Sequence, residues 1–194
     1  MDQKIVLIVG AGDYIGSAIA RRFAKGGFTV CLGRRRGEKL ELLIKEIKNT
    51  GGIAYGFTMD ARKEENVEEI FKKIEKEIGN IELVIFNVGG NVFFPILETT
   101  SRVFRKVWEM ATYAGFLTGR EAARYMVPRK KGSIFFTGAT ASLRGATGYS
   151  AFAAGKAGLR GVAQSMAREL GPENIHVAHL IIDAGVDTAF VRER

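Results

Sequence analysis

Gly10-Ala11-Gly12-Asp13-Tyr14-Ile15-Gly16 stands between an apolar run and a helical pattern, and its composition suits a phosphate-binding loop. Glycine permits a tight turn and lets a pyrophosphate come close to the backbone. The helix that follows offers unpaired N–H groups to the phosphates. The flanking strand and helix are the context that makes a glycine pattern specific. Gly10, Gly12, Tyr14, Ile15 and Gly16 are therefore expected at a cofactor site, with Tyr14 either crowding the bound group or stacking on it. Directly after the second apolar run stands Gly33-Arg34-Arg35-Arg36. An acid at that place bonds ribose hydroxyls, whereas arginine grips a 2′-phosphate and lays its plane on adenine. Arg34 foremost, with Arg35 beside it, thus favours NADP(H) over NAD(H), and Arg36 reads as a solvated turn residue.

Other reactive residue types are scarce. Cys31 is the only cysteine, inside an apolar run, so it forms no internal disulfide and points to a reducing compartment. With two histidines, His176 and His179, no metal site is expected, and His179 reads as a core residue of an apolar strand. The net charge is +8, but the basic residues are spread along helices with acidic companions, as in Lys63, Glu64, Glu65, Glu68 and Lys72. Such spread describes solvated helix faces, and no nucleic-acid partner is expected. No signal segment or membrane span is legible, so a cytoplasmic protein with no membrane partner is expected.

The elements that must position these residues alternate. Apolar runs at Ile5–Val9, Phe28–Leu32, Ile53–Met59, Ile81–Val88, Ser133–Thr137 and Ile175–Ile182 read as strands. Ile15, Ile19 and Phe23, then Leu40, Leu43, Ile44 and Ile47, then Val67, Ile70, Phe71, Ile74 and Ile78 recur at helical spacing. A long helical region runs from about Thr99 to Met126, and another helix spans Phe152–Leu170. The pattern predicts an α/β, Rossmann-type, doubly wound parallel sheet of six strands. A single domain over residues 1–194 is expected, with its ligand at the carboxyl ends of the strands.

In order along the whole chain, these features resemble the short-chain dehydrogenase/reductase family, whose loop pattern is T-G-x-x-x-G-x-G. Gly10 and Gly16 match, Val9 replaces the threonine and Tyr14 the middle glycine. NADP-type relatives often carry a basic residue where this chain has Asp13. The resemblance places Asp60-Ala61 at the adenine and Asn87-Val88-Gly89-Gly90 where the family has N-A-G. It also places Thr188 at the nicotinamide carboxamide and Lys156 on the ribose. The family's catalytic tetrad is Asn, Ser, Tyr and Lys, with the tyrosine four residues before the lysine. Here Phe152 stands at the tyrosine, Ala139 at the serine and Ala111 near the asparagine. The stretch Thr137–Gly145 aligns without gaps to the family form I-S-S-V-A-G-L-R-G.

Tyr149, seven residues before Lys156, shares a helix face with Phe152 and Lys156. That spacing is similar to the family's enoyl reductases, which reduce carbon–carbon double bonds. Those enzymes usually carry a second tyrosine, which would fall at Ala139, and a different glycine loop. Two readings of Tyr149 stand, as a proton donor and as a local packing residue that caps the helix. Thr140 and Ser142 offer further hydroxyls, and Asp183 either reaches the nicotinamide end or forms an Asx turn. The resemblance implies an NADP(H)-dependent oxidoreductase acting on a small carbonyl, alcohol or activated C=C compound, with Lys156 and Tyr149 catalytic. A nucleotide-binding homologue with a regulatory or scaffold role is the alternative. It also implies a homodimer or homotetramer, for which the face Leu159, Val162, Ala163 and Met166 suits a dimer or the core equally. Family members continue with a substrate-covering helix pair and a seventh strand, so a C-terminally shortened chain is expected, either a fragment or a naturally short form.

Overall fold

The run Ile5–Val9 forms β1, and all five of its residues are buried. That burial has a positional cause, because β1 lies mid-sheet between β2 (Thr29–Arg34) and β4 (Ile81–Phe86). The computed structural model describes residues 4–187 and 192, and Thr188 lies outside the described residues. Outward from β2 runs β3 (Ile53–Thr58), and outward from β4 run β5 (Gly132–Ala139) and β6 (Ile175–Ile182). The sheet order is β3-β2-β1-β4-β5-β6, with every described pair parallel. The fold is the doubly wound one that the apolar runs predict.

Side chains alternate across a strand, and helices cover both faces of this sheet. Val6, Ile8, Val30 and Leu32 pack with Ala20 of α1 (Ile15–Lys25) and with Leu43 and Ile47 of α2 (Glu41–Asn49). Leu7, Val9 and Phe86 face the other core. There they meet Phe71 and Ile74 of α3 (Glu64–Glu77), Leu117 of α5 (Ala114–Met126) and Leu159 of α6 (Ser150–Leu170). The winding reverses between β1 and β4, which opens a crevice at their carboxyl ends.

The predicted long helix from Thr99 to Met126 is interrupted. α4 (Ser101–Trp108) and α5 are joined by a π-helical turn at Glu109–Tyr113. Periodicity misses the extra residue of such a turn, which is anchored by a tertiary bond from Thr112 Oγ1 to the Gly155 carbonyl at 2.8 Å. α6 comes so near that a Cβ on Gly155 would lie 3.1 Å from that of Ala111.

Leu159 and Ala163 are fully packed in the core, so that part of the α6 face serves the interior. β6 is the last strand of the order, which leaves His179 half-buried rather than in the core.

Candidate active site

At the end of β1 the chain turns through Gly10 at φ 92°, a left-handed conformation that a side chain strains. A Cβ there would also lie 2.7 Å from the Asn87 carbonyl oxygen. Gly10 and Ala11 donate their N–H groups to the Gly33 carbonyl at 2.9 and 3.0 Å. Asn87 binds the same turn twice. Its backbone N–H donates to the Val9 carbonyl at 2.7 Å and its Nδ2 to the Gly10 carbonyl at 3.1 Å. Gly16, in the first turn of α1, lies so close to the loop that a Cβ would come 2.6 Å from the Gly10 oxygen. Glycine loop, β2 end and β4 end are thereby locked into one floor.

Above that floor lies a cleft of about 640 Å³ that reaches from Gly12 and Tyr14 to Tyr149, Phe152 and Lys156. A smaller cleft of about 220 Å³ continues toward Arg34, Arg35, Asp60 and Ala61, and the two share Gly10, Gly12, Asn87 and Gly89. Nothing lies within 4 Å of where a Cβ on Gly12 or Gly89 would sit, so the floor is open where a bulky ligand would cross it. The helix N-terminus at Ile15 stands at the same crossing. Shape, bare backbone and flanking arginines fit a dinucleotide. Tyr14 is half-exposed and leaves the cleft open.

Lys156 is 3% exposed, and its ammonium donates to the Thr137 carbonyl at 2.9 Å and the Val88 carbonyl at 3.3 Å. Burial pushes its pKa down to about 8. Tyr149 is the N-cap residue of α6, its ring edge-on to Phe93 at 5.4 Å, and its hydroxyl has no partner among the described residues. Tyr149, Phe152 and Lys156 all line the cleft, as their shared helix face predicts, and Phe152 and Ala139 make its wall there hydrocarbon.

The other hydroxyls are occupied. Thr140 Oγ1 donates to Asp183, which ties the end of β5 to the segment after β6 and is a long-range bond rather than an Asx turn. Ser142 is buried, accepting from the Ala139 N–H at 3.1 Å and lying 3.4 Å from His179 Nε2. Desolvation pushes the His179 pKa down, with Lys156 and Arg160 adding to the shift. Cys31 is buried, which raises its pKa to about 12 and leaves an inert thiol.

Around the smaller cleft and its junction with the larger one the acids are paired. Asp60 accepts from Arg62 Nε at 2.9 Å and Nη2 at 2.6 Å, which with the nearby Arg35 charge holds its carboxyl below the usual range. Arg34 forms a forked ion pair with Asp13 at 2.6 and 3.1 Å. Sequence reading weighs Arg34 and Asp13 separately and gives Arg62 no role. No local pattern links residues 21 apart in the chain.

A model of the short chain dehydrogenase family matches residues 4–194. The chain is 31% identical over 175 residues to a 2-dehydro-3-deoxy-D-gluconate 5-dehydrogenase of Formosa agariphila, covering 90% of this chain and 66% of that one. It thus spans about two thirds of the length of that curated relative. A crystal structure of a short-chain dehydrogenase from Rhodopseudomonas palustris is 60% identical with a TM-score of 0.90, covering 93% of this chain and 85% of its own. A metagenomic short-chain oxidoreductase in complex with NADP is 25% identical with a TM-score of 0.87, covering 94% and 83%. An NAD+-bound xylitol dehydrogenase is 26% identical with a TM-score of 0.87, covering 91% and 68%.

Proposed function

The chain belongs to the short-chain dehydrogenase/reductase family of oxidoreductases, and from that premise we propose that it uses NADP(H) in preference to NAD(H) to interconvert a small carbonyl and alcohol or to reduce an activated C=C bond. The observation that carries this reading is the open floor of Gly12 and Gly89, which joins the arginines after β2 to Lys156 and Tyr149. Gly10, Gly12, Ile15 and Gly16 would hold the pyrophosphate, and Arg34 and Arg35 the 2′-phosphate. Asp60 and Ala61 would flank the adenine, Asn87 and Gly89 the middle of the cofactor, and Lys156 the nicotinamide ribose. Thr188, outside the described residues, keeps its proposed place at the carboxamide.

A bound reduced nicotinamide supplies a hydride to the substrate carbon. The chain's own residues manage the proton and the charge. Two protons of the Lys156 ammonium are committed to carbonyls, and the third serves a ribose hydroxyl. The Tyr149 phenol, with no protein partner among the described residues, donates its proton to the substrate. The hydrocarbon of Phe152 and Ala139 keeps water from the reacting atoms. Self-association as a dimer or tetramer belongs to the same proposal. Exposed Phe104, Trp108 and Phe116 on α4 and α5 offer it a surface, and sedimentation reads it directly.

Phe152 and Ala139 also favour a second reading, nucleotide binding without turnover in a regulatory or scaffold role, because neither side chain can move a proton. Titration of nicotinamide fluorescence with NADPH and NADH tests the cofactor. Arg34→Ala is expected to weaken NADPH binding by about tenfold to a hundredfold, since a charge-assisted bond is lost. Turnover of enals, enones or carbonyls that falls about 10²–10⁴-fold in Tyr149→Phe and Lys156→Ala supports the enzyme. Binding without turnover supports the second reading. Turnover indifferent to both substitutions overturns the catalytic assignment.

A further inference from the structure

The Arg34–Asp13 pair lies where the two clefts meet, Asp13 on the larger and Arg34 on the smaller. Arg34 is held firmly, its side chain 17% exposed, whereas that of Asp13 is 64% exposed. The guanidinium gives both terminal nitrogens to the two carboxylate oxygens. The loop carrying Asp13 is fixed from below, with Ser17 Oγ donating to the Asp13 carbonyl at 2.7 Å. The forked geometry is the one arginine uses on a phosphate, so the carboxylate sits on the donors that an anionic ligand group would take.

We propose that Asp13 sets the choice between the two dinucleotides. Its carboxylate takes the place of a 2′-phosphate on Arg34 in the free protein, and it accepts a ribose hydroxyl when the cofactor has no such phosphate. The inference rests on the nicotinamide-dinucleotide reading above. A 2′-phosphate must displace the carboxylate and then stand beside it, so one anion cancels much of what the arginine supplies. The displacement itself is easy, because an exposed ion pair is weak. A cofactor without the phosphate meets an acceptor that suits its hydroxyl, as the acid after β2 does in NAD-preferring sites. Arg34 therefore discriminates less than an arginine at that position would alone, and this chain accepts both cofactors with a shallow preference.

The test is equilibrium binding of NADPH and NADH to the intact chain, followed by nicotinamide fluorescence, with 2′,5′-ADP and 5′-AMP as fragments in a thermal-shift assay. Asp13→Asn removes the charge and keeps the shape, and Asp13→Ala removes both. In Asp13→Asn, NADPH and 2′,5′-ADP should bind about tenfold more tightly, a change of about 1.4 kcal/mol. NADH should weaken severalfold in Asp13→Ala. Wild-type binding whose NADPH-to-NADH ratio stays within twofold in both variants overturns the inference and leaves the cofactor reading standing. A wild-type chain that binds none of the four nucleotides overturns both.

Discussion

A single buried amine shows how much of this site is set by its surroundings. Lys156 is buried against Val88 after β4 and Thr137 of β5, and its pKa of about 8 stands against 10.5 for an ordinary lysine. Below pH 8 the folded and unfolded chains both carry the proton, and the cost of burying the charge is present in full. Between about 8 and 10.5 the folded chain has lost the proton and the unfolded chain retains it, so rising pH favours folding. Urea unfolding should therefore show stability climbing across that window by up to about 3 kcal/mol relative to Lys156→Met, which has no such proton. Parallel curves for the two proteins would mean that Lys156 is far less desolvated than its 3% exposure indicates.

The element that decides the site is the turn between β1 and α1. Its glycines do different work. Gly10 supplies a positive φ, Gly16 a close helix contact, and Gly12 an open floor. Replacing Gly10 with alanine imposes a strained φ and drives a Cβ against the Asn87 carbonyl. Left-handed backbone alone costs about 1–2 kcal/mol per residue, before any steric contact. Gly10→Ala should lower the urea midpoint and weaken both NADPH and NADH, because the Asn87 floor moves with the turn. Unchanged affinity for both would show that the floor does not depend on Gly10. The π-helical turn also borders the smaller cleft, through Met110, and Thr112 anchors it to α6.

Across the whole molecule, the ends of the sheet have different tasks. The carboxyl ends carry the clefts, and the amino end of β4 carries a structural network. There Glu75 accepts from Arg129 at 2.6 and 3.0 Å and from the Ile81 N–H at 3.0 Å, while Arg129 also donates to the Ile81 carbonyl at 3.1 Å. The Glu75 side chain is only 8% exposed. Arg129→Ala strands that carboxylate and should cost about 3 kcal/mol in urea unfolding, with NADPH affinity unchanged. A parallel loss of affinity would show that the two ends are coupled through β4. Elsewhere the arginines of α5 pair with glutamates of α3, Arg120 with Glu64 and Arg124 with Glu68, so these basic residues are engaged between helices. Among the described residues, no helix is long and apolar enough to cross a membrane.

The amino-acid sequence by itself determined the alternation of strand and helix, because burial on both faces writes a near-continuous apolar run such as Ile5–Val9. It also determined the glycine loop, whose spacing is local, and the shared face of Tyr149, Phe152 and Lys156, which follows from helix geometry. Strand ends were less legible. β4 stops at Phe86 rather than Val88, and β5 runs to Ala139 rather than Thr137, because pairing with neighbours and not apolarity sets where a ladder ends. Only the tertiary structure decided the partners. Asp13 sits on Arg34, Thr140 on Asp183, Ser142 beside His179 and Thr112 on Gly155, across separations of 21 to 43 residues. No periodicity encodes such pairs. They arise from strand order, register and helix packing, which bring remote segments together and decide which polar groups meet there.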